Sequence, residues 1–197
     1  MIKRLFDLLI TIPLLVMVMP ILLLISLLIK VNSKGPVFYL QTRVGLNSQD
    51  FKIFKFRTMH INADKAGLLT VGGRDPRVTP IGYYLRKYKL DELPQLINVV
   101  LGTMSLVGPR PEVRKYVELY NLEQQKVLTV KPGITDYASI EYSEENDLLA
   151  KSNDPERTYI EDIMPAKLLL NQQYITEKSL ITDVKIIWKT FTKIIAH

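Results

Sequence analysis

Residues 8–29 read LLITIPLLVMVMPILLLISLLI, a stretch without a charged side chain and with two internal prolines, Pro13 and Pro20. Wholly helical, it extends about 33 Å, just enough to cross the hydrocarbon core of a bilayer. A cleaved leader is disfavoured: leader cores are shorter, and Ile29-Lys30-Val31-Asn32-Ser33-Lys34 follows without a small-x-small cleavage pattern. Pro20 offers no N–H to the Val16 carbonyl and its ring crowds that turn, so a bend is expected near Met19-Pro20. Each half then reaches roughly 15 to 18 Å, enough to enter one leaflet and return. Lys3 and Arg4 precede the stretch and Lys30 and Lys34 follow it, which by the positive-inside tendency puts both ends in the cytoplasm. A re-entrant hairpin satisfies both ends. A spanning helix leaves Lys3 and Arg4 outside, which Asp7 and the larger downstream charge permit, so the residues alone leave the two arrangements open.

A chain of 197 residues has room beyond that segment for one compact body with its own core. The net charge of +6 favours anionic partners, whether lipid headgroups, phosphate-bearing substrates or nucleic acid. Cysteine is absent, which excludes a disulfide framework, a thiolate metal site and a cysteine nucleophile; with only His60 and His197, a histidine-rich metal cluster is excluded too. Any nucleophile must come from Ser, Thr, Asp, Glu, Lys or Tyr.

After the punctuation of Gly35-Pro36, residues 37–44 and 51–57 read as strands of a β-hairpin joined around Gly45-Leu46-Asn47. Alternation places Phe51, Ile53, Lys55 and Arg57 on one side of the second strand, so two cations share its end, as a solvated tip or as a phosphate contact. Thr79-Pro80 reads as an N-cap and first helical residue, opening a helix to about Tyr88 with Ile81, Tyr84, Leu85 and Tyr88 as its apolar stripe. A second helix is expected to begin near Asp91 and to stop at Gly102, with Pro94 in its first turn. Val113, Tyr116, Val117 and Tyr120 mark another, ended before Lys131-Pro132-Gly133. Residues 167–197 read as mostly helical. There Ile181, Val184, Ile187, Trp188, Phe191, Ile194 and Ile195 line one face opposite Lys185, Lys189 and Lys193, which suits either an interfacial membrane helix or one packed on the core.

Reactive groups concentrate in Arg86-Lys87-Tyr88-Lys89-Leu90-Asp91-Glu92-Leu93-Pro94. One reading is helix capping with surface charge. The other is metal-assisted phosphoryl chemistry: a carboxylate attacks phosphorus only if the charge between two anions is neutralised, and Mg2+ with an arginine does that. Magnesium takes one or two carboxylates plus substrate oxygens, so Asp91 and Glu92 suffice as the protein's share. Gly108-Pro109-Arg110-Pro111-Glu112 would hold the Arg110 guanidinium on a stiff turn, and Pro132-Gly133-Ile134-Thr135 is a second phosphate-suited run. Gly72-Gly73-Arg74 is neither a Walker nor a dinucleotide fingerprint. The acidic group Glu141, Glu144, Glu145 and Asp147 reads as a solvated face sooner than as a metal site.

Taken jointly, Gly35-Pro36-Val37-Phe38, Lys55-Phe56-Arg57-Thr58-Met59, Arg74-Asp75-Pro76-Arg77, Leu90-Asp91-Glu92-Leu93-Pro94-Gln95-Leu96, Gly108-Pro109-Arg110-Pro111 and Lys131-Pro132-Gly133-Ile134-Thr135 resemble the bacterial sugar transferase family, the monotopic phosphoglycosyl transferases. The resemblance runs over nearly the whole chain. It implies an α/β (α+β) fold in which residues 1–34 form a re-entrant membrane hairpin and residues 35–197 a cytoplasmic catalytic domain with a β-hairpin and amphipathic interfacial helices, on the inner membrane of a bacterium. It implies transfer of a sugar 1-phosphate from a UDP-sugar to polyprenyl (undecaprenyl) phosphate with release of UMP, initiating an O-antigen, capsule, exopolysaccharide or glycoprotein glycan. Asp91 would carry the sugar phosphate covalently, and Glu92 would help hold Mg2+. Arg86 would bind phosphate, with Lys55, Arg57 and Arg110 as further phosphate or nucleotide contacts and Asp183 in the surrounding shell.

The expected partners are thus a UDP-sugar, polyprenyl phosphate and anionic lipids, with a second copy of the chain, as a homodimer, left open. Nucleic acid is not among them, because the aromatics follow apolar stripes instead of interleaving with basic residues on a stacking surface. A catalytically silent lipid-binding module is the rival reading, and the joint presence of Arg86, Asp91 and Glu92 counts against it. Two positions depart from the family's pattern. Met19 stands before Pro20 where relatives carry serine, whose hydroxyl could satisfy carbonyls freed by the proline. Asp136-Tyr137-Ala138-Ser139 replaces the usual residues after Pro-Gly-Ile-Thr, which leaves the transferred sugar open.

Overall fold

A computed structural model gives the structure of residues 2–63, 67, 69 and 75–195. Gly72-Gly73-Arg74 and His197 fall outside the described residues. Helix α1 (Ile2–Asn32) runs 31 residues with Pro13 and Pro20 both inside it. The expected bend at Met19-Pro20 therefore does not end the helix. Its most apolar 18-residue window has a mean hydropathy of 2.9, long and apolar enough to cross a membrane. Asp7, Thr11, Leu22, Ile25 and Ile29 are buried and Leu15 and Val18 half-buried, a stripe at three- and four-residue spacing that packs on the rest of the chain. On the opposite side Leu9, Ile12, Val16, Met19, Leu23 and Leu27 are all exposed.

Strands β1 (Phe38–Val44) and β2 (Asp50–Phe56) form the expected antiparallel hairpin, in register from Phe38 opposite Phe56 to Val44 opposite Asp50. Helix α2 (Pro80–Lys87) starts as its sequence predicts, with the Thr79 hydroxyl accepting from the Gly82 N–H at 3.0 Å and Pro80 in the first turn. The next helix departs from expectation. Lys89 adopts a left-handed conformation (φ 56°), residues Leu90–Glu92 make a separate 3-10 turn, and α3 begins only at Gln95 (Gln95–Leu101), because Pro94 stands at its N-cap. Asp91 and Glu92 are thereby held on a tight turn instead of in the first turn of the helix. Gly102 closes α3 in the left-handed conformation (φ 85°), which glycine adopts without strain.

Strand β3 (Ser105–Val107) pairs in parallel with β4 (Gly133–Thr135), Ser105 opposite Gly133 and Val107 opposite Thr135. Their connection holds α4 (Arg114–Val117) and a 3-10 turn (Gln124–Thr129), so the helix expected on Val113, Tyr116, Val117 and Tyr120 is a single turn. Those four side chains are nonetheless buried together, since the chain continues in turns that keep their spacing on one side. Short helices α5 (Tyr137–Glu141), α6 (Glu145–Ala150) and α7 (Pro155–Thr158) lead through a π-helical turn (Tyr159–Ile163) into α8 (Met164–Glu177) and α9 (Leu180–Ile195). The fold is thus a mixture of helices with two small sheets. Helix α9 buries Asp183 and Ile186, packs the half-buried Ile187 on the core, and leaves Ile181, Val184, Trp188, Phe191 and Ile194 of its apolar stripe exposed.

The body holds α1 at both ends. Near its start, the Lys3 ammonium lies 2.5 Å from Asp183 Oδ2 on α9, and the Arg4 guanidinium donates to the carbonyls of Val99 and Val100. Asp7 accepts from the Ser105 hydroxyl (2.8 Å) and the Leu106 N–H. At the other end Leu22, Ile25 and Ile29 pack with Phe56 and Leu85, and the Arg57 guanidinium donates to the carbonyls of Ser33 and Lys34.

Candidate active site

Three elements converge on Glu92. The turn that carries it is fixed to β2 by Asn98, a buried side chain on α3 that accepts from the Phe54 N–H (2.9 Å) and donates to the Lys52 carbonyl (2.8 Å). This clamp sets the turn against Lys55, whose ammonium reaches Glu92 Oε1 at 3.0 Å. The Arg110 guanidinium approaches the same oxygen from the loop after β3. That loop is held on its far side by Asp136, which accepts from the Arg110 N–H at 3.0 Å and, as N-cap of α5, from the Ser139 N–H at 2.6 Å. Its backbone is pressed against β4. A Cβ on Gly133 would stand 2.1 Å from the Gly108 nitrogen, so only glycine admits this approach.

The two adjacent carboxyls are held in opposite states. Burial alone would raise the Glu92 pKa, but the charges of Arg110 and Lys55 and their hydrogen bonds outweigh it and hold Glu92 well below the usual range. Asp91 makes no hydrogen bond or ion pair among the described residues. Its carboxyl is pushed up to about 6, first by burial and then by repulsion from Glu92, against the pull of Lys55, Arg86 and Lys89. Burial pulls the Lys55 ammonium down, with Glu92 the main opposing influence, and the Glu92 charge raises Arg110. The result is one pinned anion and one uncommitted, more basic carboxylate among cations. Such divergent environments are what separate roles for two carboxyls require.

The whole chain, residues 1–197, matches the family model described as bacterial sugar transferase. The chain belongs to the bacterial sugar transferase family. It is 36% identical to the UDP-glucose:undecaprenyl-phosphate glucose-1-phosphate transferase of Escherichia coli (strain K12), over 98% of this chain and 40% of that protein. It is 38% identical to the UDP-N-acetylgalactosamine-undecaprenyl-phosphate N-acetylgalactosaminephosphotransferase of Aeromonas hydrophila, over 98% of this chain and 44% of the relative. With the exopolysaccharide production protein ExoY of Sinorhizobium fredii it shares 36% identity over 95% of this chain and 83% of the relative. The chain therefore spans less than half the length of the first two relatives.

In this family member, Lys55, Glu92 and Arg110 come into direct contact, and Arg86 lies close enough for its charge to act on Asp91. Arg57, grouped with Lys55 by strand alternation, is buried, with its terminal nitrogens on the end of α1. Asp183 is buried in a pair with Lys3 and accepts from the Tyr174 hydroxyl at 2.8 Å, a set separate from the Glu92 contacts. Among the described residues no group of three or more histidines and carboxylates gathers as a closed metal site. Sequence reading missed Asn98 and the role of Asp136. The available signals were a lone amide in the apolar run Leu96-Ile97-Asn98-Val99-Val100 and a capping residue directly after the Gly-Ile-Thr strand.

Proposed function

We propose that this chain transfers a sugar 1-phosphate from a UDP-sugar to polyprenyl (undecaprenyl) phosphate through a covalent intermediate on Asp91. The carrying observation is the contrast between Asp91, uncommitted and raised to about 6, and Glu92, pinned by Lys55 and Arg110. At neutral pH Asp91 is mostly ionised yet more basic than an ordinary aspartate, which favours nucleophilic attack. One of its oxygens attacks the β-phosphorus of the donor, the bond from that phosphorus to the bridging oxygen breaks, and UMP leaves with the electron pair. Sugar phosphate then remains on Asp91 as an acyl phosphate. A polyprenyl phosphate oxygen attacks the same phosphorus, freeing the Asp91 carboxylate and giving a polyprenyl-diphospho-sugar. Lys55, Arg86 and Arg110 offset the charge of the diphosphate, and Glu92 orients two of them.

Magnesium fits this site. Asp91 and the Oε2 of Glu92 have no hydrogen bond among the described residues, and one or two carboxylates with substrate oxygens meet the ion's preference. Asp91 and Glu92 would hold it, and when bound it would supply neutralisation between the carboxylate and the diphosphate.

For the membrane arrangement we infer that residues 1–34 are re-entrant and that residues 35–197 form a catalytic body at the cytoplasmic face of a bacterial inner membrane. Support comes from the contacts of one body with Lys3 and Arg4 at one end of α1 and with Ser33 and Lys34 at the other. The body also packs along the buried stripe of α1 from Asp7 to Ile29, a stretch that a spanning helix would leave in hydrocarbon. The exposed apolar stripes of α1 and α9 are the surfaces for lipid, with Lys185, Lys189 and Lys193 placed for anionic headgroups. The test is UMP release from a panel of UDP-sugars with and without polyprenyl phosphate. Acceptor-dependent turnover with at least one donor supports the reading, and release that repeats in water alone indicates a hydrolase.

A further inference from the structure

Beside Arg110 lies a cavity of about 180 Å³ between the loop after β3, α6 and α8. Its walls carry charge in matched pairs. Arg43 meets Glu112 Oε1 at 2.8 Å, and Lys167 meets Glu145 Oε2 at 2.6 Å. The Tyr159 hydroxyl donates to the second oxygen of Glu112. Asn171 of α8 also lines the cavity, buried to 4% exposure, and its amide oxygen makes no hydrogen bond. A buried acceptor left without a partner is destabilising, so it calls for a donor that the protein itself does not supply.

We infer that this cavity is the subsite for the sugar ring of the donor, with Asn171 and Glu145 among the groups that read its hydroxyls. The inference rests on the transferase reading above. Arg110 connects the two places, because its guanidinium holds Glu92 while the same side chain forms one wall of the cavity. A phosphate gripped by Arg110 beside Asp91 would direct its substituent into this space. Size agrees with one ring. At about 30 Å³ per liquid water the volume equals about six waters, the bulk of a pyranose with its hydroxyls, and it falls below the roughly 300 Å³ at which pockets for larger ligands begin. Charge agrees as well. Arg43–Glu112 and Lys167–Glu145 neutralise each other, and the acceptor capacity left on Glu145 and Asn171 suits neutral hydroxyl donors.

The test uses the full chain reconstituted in nanodiscs, with Asn171→Leu and Glu145→Gln. Removing an unpartnered buried acceptor does not harm folding, so Asn171→Leu should melt at or above the wild-type temperature. For each variant, KM is measured for UDP-glucose, UDP-galactose and their N-acetylated counterparts, together with inhibition by UMP. Loss of a hydroxyl contact should change the ratio of kcat/KM between donors by about tenfold, while UMP inhibition stays within about twofold of wild type. UMP inhibition that weakens in step with donor affinity would place the nucleoside in the cavity and overturn the inference. Unchanged selectivity in both variants would reduce the cavity to bound water. If the wild-type chain releases no UMP from any donor with polyprenyl phosphate present, the transferase reading fails first and carries the subsite with it.

Discussion

Asp91 and Glu92 adjoin in sequence yet stand in opposite electrostatic states: Glu92 takes Lys55 and Arg110 on one oxygen, while Asp91 has no bonded partner among the described residues. The 3-10 turn over Leu90–Glu92 makes this contrast, because it presents both carboxyls beside β2 before Pro94 starts α3. Neutralising the pinned member should cost catalysis without removing the nucleophile. Glu92→Gln is expected to slow acceptor-free UMP release by about 10² to 10³, and Arg86→Ala by a similar factor, while the sugar-phosphate adduct still forms. Stopped-flow UMP detection with mass spectrometry of the protein reads both. Complete loss of the adduct in Glu92→Gln would make Glu92 the attacking group.

The ties at both ends of α1 predict that Lys3 and Lys34 lie on one side of the membrane. With no cysteine in the chain, single cysteines placed at positions 3 and 34 report on this directly. Both should resist a membrane-impermeant thiol reagent applied from the periplasmic side. Labelling at position 3 alone would mean that α1 spans.

Gly133 packs against the backbone that carries Arg110. A methyl group there would stand 2.1 Å from the Gly108 nitrogen and 2.5 Å from its carbonyl oxygen, and both atoms are backbone with no rotamer to give way. Gly133→Ala should destabilise by about 2 kcal/mol or more, typical of overpacking, and slow UMP release through displacement of Arg110. A melting temperature equal to wild type would show that the two strands separate at little cost.

Much of this arrangement was legible in the residues. The hairpin, the Thr79-Pro80 helix start, the Gly102 stop and the apolar stripe of α9 follow from local rules of alternation, capping and periodicity, and all are found. The start of α3 was misplaced because a periodic apolar run does not tell a helix from a preceding 3-10 turn, and the left-handed backbone of Lys89 that opens this turn leaves no mark on periodicity. Arg57 shows the same limit. Alternation puts it beside Lys55, yet the nearby end of α1 claims its guanidinium for the carbonyls of Ser33 and Lys34. Lys55, Glu92 and Arg110 lie far apart in sequence, and the parallel pairing of β3 with β4 positions Arg110 through a long-range contact that no local pattern announces.

Glu112 supplies a pH dependence of stability. Burial alone would raise its carboxyl, but the Arg43 and Lys167 charges, the Tyr159 hydroxyl and the Val113 N–H outweigh burial and hold it below its ordinary 4.5. A lowered folded-state pKa stabilises the fold above the unfolded value, and that contribution is lost as pH falls through the folded one. The wild-type melting temperature should therefore exceed that of Glu112→Gln at pH 7, with the gap closing below about pH 4.5. A gap that persists unchanged to pH 3 would assign it to packing.

Magnesium removal is expected to stop UMP release with every donor, since Lys55, Arg86 and Arg110 alone then oppose the repulsion between the diphosphate and the Asp91 and Glu92 carboxylates. Titration with a chelator, followed by restoration with the ion, measures this. Full activity with the chelator present would leave Lys55, Arg86 and Arg110 as the sole neutralising groups.

The covalent role of Asp91 is tested most directly by acceptor-free turnover of wild type and Asp91→Asn with a radiolabelled UDP-sugar. Wild type should release at most about one UMP per active site and then stall, with label bound to the peptide that contains Asp91. Asp91→Asn keeps the shape and removes the anionic nucleophile, so both the burst and the label should vanish. A full burst with labelled protein in Asp91→Asn would contradict the mechanism, as would UMP release by wild type that strictly requires polyprenyl phosphate and leaves no adduct.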